Sequence, residues 1–383
     1  MAVLGGIASI VLYGALYILV LGIVIVVHEL GHFLVGRWCG VRIETFSLGF
    51  GRELAHWIDR RGTRWRVAAF PLGGYVKFAG DLNAASVADD EAIAAMSPEE
   101  RAGTLQAKSV GARAAIVAAG PIANFVLALV VLTGLYLVVG RYDLAPIVGS
   151  FVENSAAEAA GVKVGDRIVA IDGTRIDSFL QIWPLVTNRT GEHLALSVER
   201  GGVELNFDVV PRLQEKETDL GVQRRGLIGI APDNAPGNLH HVDLGPWGAF
   251  LEACSTIKLI VNQTLGFFGR LFSGHEYVDQ LSGVARMAHL VAASAQMGFG
   301  VLVEQLAFLS VSIGLLNLFP IPVLDGGHLV FYFFEAIRGR PLSERVQDVG
   351  LRIGLTFVLA LMLVANGNDL IHYGGRLLSN WVR

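Results

Sequence analysis

The first 27 residues contain no Asp, Glu, Lys or Arg, and the first basic residue is Arg37. Roughly 20 apolar residues cross the hydrocarbon core of a bilayer, where only a segment that satisfies its own backbone survives. The run therefore predicts a membrane-spanning helix. Further charge-free runs cover 114–140, 305–324 and 353–368. The last is marginal in length and is helped by Arg352, whose stem can snorkel. The fold class expected is a polytopic α-helical membrane protein with about four transmembrane helices. Composition agrees: 53% of 383 residues are hydrophobic and 17% are charged, against about 25% charged in soluble domains.

Set into the first run is His28-Glu29-Leu-Gly-His32. Residues four apart share a helix face, and two imidazoles so spaced can hold one divalent metal. Glu29 beside them can take a proton from water polarised by that metal, so the pattern on a helix is that of zinc hydrolases. His28 lies nine residues before Arg37, about 13 Å along a helix and near the middle of a core about 30 Å thick. A carboxylate at that depth costs about 2.5–3.5 kcal/mol and needs a partner or a role. Two other readings stand beside the metal site: a chance match in which the histidines only pack, and the ion pathway of a membrane metal transporter. A third ligand elsewhere in the chain would separate them.

Basic residues set the orientation. Arg37, Arg42, Arg60, Arg64 and Arg113 are among those between the first two runs, and Arg338, Arg340, Arg345 and Arg352 lie between the last two. Both loops are expected in the cytoplasm and the long 141–303 insert outside. No basic residue precedes the first run, which carries the motif, so it is expected to be retained and not cleaved. Cys39 and Cys254 fall on opposite sides of this map and cannot pair. No nucleic-acid motif stands out, and the net charge of −4 argues for no polyanion partner.

Trp65 to Phe78 is two short apolar runs around Pro71-Leu-Gly73-Gly74, which predicts a hairpin. Its edge can pair with a substrate strand; an amphipathic loop on the membrane surface is the alternative. Residues 81–105 are small, polar and acidic, as in a mobile linker. In Gly120-Pro121-Ile-Ala-Asn124, Asn124 is a lone amide that either bonds a neighbouring helix or faces the metal. Strand-like runs broken by turn residues make 145–212 a soluble module. The stretch from 213 to 240 reads as a linker, and His240-His241 as a solvated turn. Between Lys258 and Arg270 the uncharged stretch is 11 residues, too short to span. Trp247 to Phe272 is expected as an interfacial helix, with a bundle-packing helix as the alternative.

The third long run ends Asn317-Leu-Phe-Pro320-Ile-Pro322-Val-Leu-Asp325-Gly-Gly-His328. Two prolines and two glycines must break a helix there, which membranes tolerate only against protein or a water-filled cavity. Asp325 projects from that break. Two histidines and a carboxylate with an open fourth position match a catalytic zinc.

Residues 160–173, Ala-Gly-Val-Lys-Val-Gly-Asp-Arg-Ile-Val-Ala-Ile-Asp-Gly, resemble the signature of PDZ domains of the bacterial protease type, with the groove strand near Ile147-Val-Gly149-Ser150. Such a module binds extended peptides or C-termini, or else only shields the membrane site. Together with the motifs around His28, Asn124 and Asp325, and with Phe46-Ser-Leu-Gly-Phe-Gly51 and Ser343-Glu-Arg-Val-Gln-Asp348, the chain resembles the site-2 protease family of intramembrane zinc proteases. Within it the chain is similar to the bacterial branch that regulates sigma-E.

The resemblance implies His28, His32 and Asp325 as ligands of Zn2+ and Glu29 as the catalytic carboxylate. It implies substrate contacts at Asn317, Pro320, Pro322, Gly73 and Gly74, and Asn124 is grouped with them. The organisation expected is a first transmembrane helix over 1–38, a cytoplasmic loop with a membrane-associated hairpin over 39–107, a second helix over 108–140 and a periplasmic mixed α/β PDZ domain over 141–213. A periplasmic linker with amphipathic helices over 214–300 follows, then a third transmembrane helix with the Leu-Asp-Gly motif over 301–337 and a fourth with its tail over 338–383. The implied function is cleavage of single-span membrane proteins at the bacterial inner membrane, of an anti-sigma factor or remnant signal peptides. A metal transporter and a PDZ adaptor without catalysis are the rivals. Two departures bear on substrate and gating: one PDZ module where that branch often has two, and Val284 where it often has Pro.

Overall fold

The computed structural model describes residues 2–81, 90–187, 189–218, 221–233, 235, 237–273, 281 and 283–381. The chain divides into two compact units, residues 1–132 with 282–369, and residues 133–281 with 370–383.

The first unit begins with α1 (Ala2–Trp38). The strands β1 (Ile43–Ile58) and β2 (Arg64–Phe78) follow, then the short α2 (Asp90–Ala95) and α3 (Pro98–Ala102), and α4 (Val110–Val139). Among the described residues four helices are long and apolar enough to cross a membrane: Leu12–Trp38, Val110–Val139, Phe299–Asn317 and Arg345–Ile371. Phe33 of α1 packs edge-on against Phe46 and Trp65, with centroids 5.4 and 5.0 Å away. Such pairs are worth about 0.5–1.5 kcal/mol beyond the area they bury. Asp59, in the turn between the strands, accepts from the Arg61 and Thr63 backbone, the Trp65 indole and the Arg37 guanidinium at the end of α1. These donors hold its carboxyl well below the usual range against the opposing effect of burial, which is the largest single influence on it. The strands are thereby fixed to α1.

The hairpin differs from the one expected. Residues 45–48 pair with 74–77 on one side and with 64–67 on the other, and 64–67 pair in turn with 55–58. The two arms around Pro71-Leu-Gly-Gly thus flank an upstream segment instead of pairing with each other. Local alternation signalled the strands but not their partner. Among the described residues, 74–77 pair on one side only and leave an open edge. The expected linker at 81–105 contains α2 and α3; its residues 82–89 lie outside the described ones, and α3 opens with a Ser97/Glu100 capping box.

The second unit runs β3 (Arg141–Leu144), β4 (Val148–Phe151), α5 (Ala156–Ala159), β5 (Arg167–Ile171), β6 (Thr174–Arg175), α6 (Ile182–Val186), β7 (Leu194–Arg200), β8 (Val203–Val209), β9 (Arg212–Thr218), β10 (Gly221–Leu227), β11 (Ile230–Pro232), β12 (Leu239–Val242) and α7 (Pro246–Phe272). A four-stranded sheet in the order β6-β5-β7-β8 buries Ile168, Ile171, Leu194, Leu196 and Val198 at 0–2% exposure. Two expectations change here. The described residues of the expected linker at 213–240 contain β9 to β12, and β11 pairs with β4 while β12 pairs with β3, because the open edges of β3 and β4 need partners. His240-His241 lies in β12, and His241 donates to the Val139 carbonyl at 2.7 Å, capping the end of α4. The strand expected to accept a peptide, β4, has β11 along one edge and a partner on the other only at its start. β11 holds one edge, and on the other Val148 bonds the Asp166 carbonyl at 2.9 Å and Ile147 bridges Arg167.

Helix α7 packs against the end of α4: Arg141 pairs with Glu252 at 2.8 Å and Tyr136 bonds Thr256 at 3.1 Å. Residue numbers rise on one helix as they fall on the other, so the two are antiparallel there. Ala249 and Ala253 of α7 are fully buried.

The first unit resumes with α8 (Val284–Met297), α9 (Phe299–Asn317), α10 (Asp325–Arg338) and α11 (Glu344–Trp381), the last as far as residue 369. Helix α8, within the 214–300 stretch expected to hold amphipathic helices, buries Val291 against Tyr17, Val20 and Leu309. Its open N-terminus is capped from α11, where Asp369 accepts from the Arg286 backbone at 2.9 Å and Asn366 from that of Val284 at 3.3 Å.

Candidate metal centre and cavity

His28 and His32 share one face of α1 and are 8% and 9% exposed. They can face α4 because both helices are stripped to glycine at the crossing. A Cβ on Gly31 would strike the Ala119 carbonyl, and one on Gly120 would fall on both imidazoles. Small residues permit such approach between apolar helices.

Helix α9 stops at Asn317, three residues before Pro320. Tight turns follow, with Ile321 bonded to the Phe319 carbonyl at 2.7 Å and Leu324 to that of Ile321 at 2.8 Å. Gly326 lies against the Leu318 and Phe319 carbonyls, where no side chain fits. This break makes Asp325 the first residue of α10 and turns its carboxylate toward α1.

Three donor atoms converge. His28 Nε2 and His32 Nε2 are 3.2 Å apart, and Asp325 Oδ2 lies 3.1 Å from the first and 3.5 Å from the second. Ligands held 2.0–2.2 Å from a tetrahedral ion sit about 3.3–3.6 Å apart, so the triangle has the dimensions of a zinc ligand face. Among the described residues Asp325 Oδ2 is buried with no partner in hydrogen-bond geometry beyond the two nearby imidazoles, as suits an oxygen aimed at a cation. The His32 Nδ1 lies 2.9 Å from the Ile116 carbonyl. Donation to that oxygen leaves the Nε2 lone pair pointing at the other two donors.

A cavity of about 300 Å³ adjoins the triangle, and none of its lining residues is Lys or Arg. Glu29 lines it, hydrogen-bonded by the Val76 backbone. The open edge of β2 runs past it: Gly73, Gly74, Tyr75 and Val76 line the wall, and a Cβ on Gly74 would stand 3.1 Å from Glu29 Cγ. Asn317 also lines the cavity. Pro320 is exposed, Pro322 packs against Gly350 and Gly354 of α11, and Asn124 is fully buried; none of these three is part of the lining. His328 and Tyr332 line it without having been singled out in the sequence. His328 follows Asp325 by one helical turn, a spacing that would have revealed it once α10 was known to begin at Asp325.

Known proteins share this design across nearly the whole chain. The model of Peptidase family M50 matches residues 16–361. Atu1380 of Agrobacterium fabrum, which carries the name of a zinc metalloprotease, is 47% identical over 355 residues, covering 92% of this chain and 94% of that protein. Metalloprotease MmpA of Caulobacter vibrioides is 40% identical over 377 residues, covering 92% and 94%. The regulator of sigma-E protease RseP of Salmonella typhimurium is 31% identical over 452 residues, covering 93% and 97%. The chain belongs to peptidase family M50, the site-2 proteases, and is a membrane zinc metalloprotease.

Proposed function

We propose that this enzyme cuts single-span membrane proteins within or near their transmembrane segment, with His28, His32 and Asp325 holding Zn2+ and Glu29 as the base. The observation that carries the reading is the open β2 edge lying beside Glu29. A helix hides its carbonyls in its own hydrogen bonds, so a substrate must unwind before it reacts. Adding its backbone to residues 74–77 offsets part of that cost and aligns one carbonyl with the triangle. Bound zinc would act as a Lewis acid that polarises the scissile carbonyl and acidifies water. Glu29 accepts the proton of the attacking water and returns it to the leaving amine. Asn317, across the cavity, contacts the extended substrate.

The basic residues flanking α1 and α4 support a cytoplasmic location for β1 and β2 and a periplasmic one for 141–303, in a bacterial inner membrane. The second unit is read as a PDZ-type module. A peptide or C-terminus would add to β4 beyond Val148, where the edge opposite β11 carries no ladder among the described residues. Likeness to RseP supports a membrane-bound anti-sigma factor as substrate, with remnant signal peptides as the second candidate.

The test is cleavage of a reconstituted single-span substrate. Glu29→Gln should retain zinc and lose about 10²–10⁴-fold in rate; undiminished cleavage would sink the assignment of the base.

A further inference from the structure

Asn124 sits on α4 at 0% exposure. Its side-chain amide lies 3.3 Å from His28 Nδ1, and its Oδ1 is buried with no hydrogen-bond partner among the described residues. The backbone around it is fixed, for Ser310 of α9 donates to the Asn124 carbonyl at 2.8 Å. A neutral imidazole carries its proton on one nitrogen only. If Nδ2 donated to His28 Nδ1, the proton would be on Nε2, and His28 could not offer that atom to a metal. The amide oxygen and nitrogen have nearly the same size, and a half-turn about the terminal bond exchanges them without changing the packing. In that orientation His28 Nδ1 donates to Oδ1, the orphaned oxygen gains a partner, and Nε2 presents its lone pair to His32 and Asp325. His32 is already arranged this way by the Ile116 carbonyl.

We infer that Asn124 is a positioning residue for the metal: its Oδ1 accepts from His28 Nδ1, fixes the ring's tautomer and aims Nε2 at the ion. Asn124 then acts through His28 and not on the substrate. The inference rests on His28 being a ligand, which His28→Ala tests separately, because a variant that kept zinc at wild-type affinity would remove that assignment.

The experiment is chelator competition for Zn2+ on the purified full-length chain in detergent, with Asn124→Leu and Asn124→Asp. Leu has nearly the same shape and no acceptor, and should weaken zinc about 10–100-fold, the usual loss for an outer partner of a ligand. Asp keeps the volume and can only accept, and should bind zinc at least as tightly as wild type. Equal affinity of the Leu variant and wild type would overturn the inference. So would an Asp variant, folded by its melting temperature, that binds zinc tenfold or more weakly, since that pattern belongs to an amide that donates. The Asp arm stands even if the Leu variant fails to fold.

Discussion

The two units bury carboxylates by opposite means. In the strand-rich unit, Asp166 is 1% exposed and fully answered: Arg200 grips both oxygens at 2.6 Å and the Lys163 backbone donates at 2.7 Å. In the helical unit, Asp325 faces two imidazoles that have no obligatory charge, in a cavity without Lys or Arg. A carboxylate with an arginine partner holds a fold together. One that faces only imidazoles is suited to a cation from outside the chain, the role proposed for Asp325.

The largest effect should come from removing the proposed ligand. Asp325→Ala is expected to lose zinc by more than the 10–100-fold typical of an outer partner and to lose cleavage, while melting of residues 141–242 is unchanged. Zinc content by metal analysis reads the first, and cleavage of a single-span substrate the second. Asp166→Ala should do the reverse. It strands Arg200 and costs about 3 kcal/mol, at the low end for breaking a buried pair since Arg200 is partly exposed, and it should leave zinc content intact. Denaturant unfolding of both variants beside wild type measures this; an equal loss of zinc in the two would erase the contrast.

Acid sharpens the same point. The Arg200 guanidinium, with the Lys163 backbone, holds the Asp166 carboxyl below its ordinary value against burial. Its stabilisation is therefore complete above the unfolded carboxylate pKa near 4 and is lost as pH falls through the lower folded value. Unfolding followed against pH should show wild-type stability of the strand-rich unit falling below about pH 4, and the Asp166→Ala variant falling less. The smallest effect is expected at Ser310→Ala, which deletes the bond to the Asn124 carbonyl and should cost about 1 kcal/mol without loss of zinc.

Periodicity and charge in the sequence determined the spanning helices, because lipid leaves an apolar run no other conformation. The spacing of His28, Glu29 and His32 put three groups at one place on one helix, since residues four apart always share a face. Turn chemistry located the break before Asp325. Pairing across distance was beyond reach. The upstream partner between the arms of β2, the closure of β4 by β11 and the antiparallel docking of α7 on α4 all depend on which edge or face comes near, and local pattern carries no record of that. The triangle of donors is the clearest case: nearly three hundred residues separate His28 from Asp325, and only glycine-lined helix crossings and a proline-broken turn bring them within 3.1 Å.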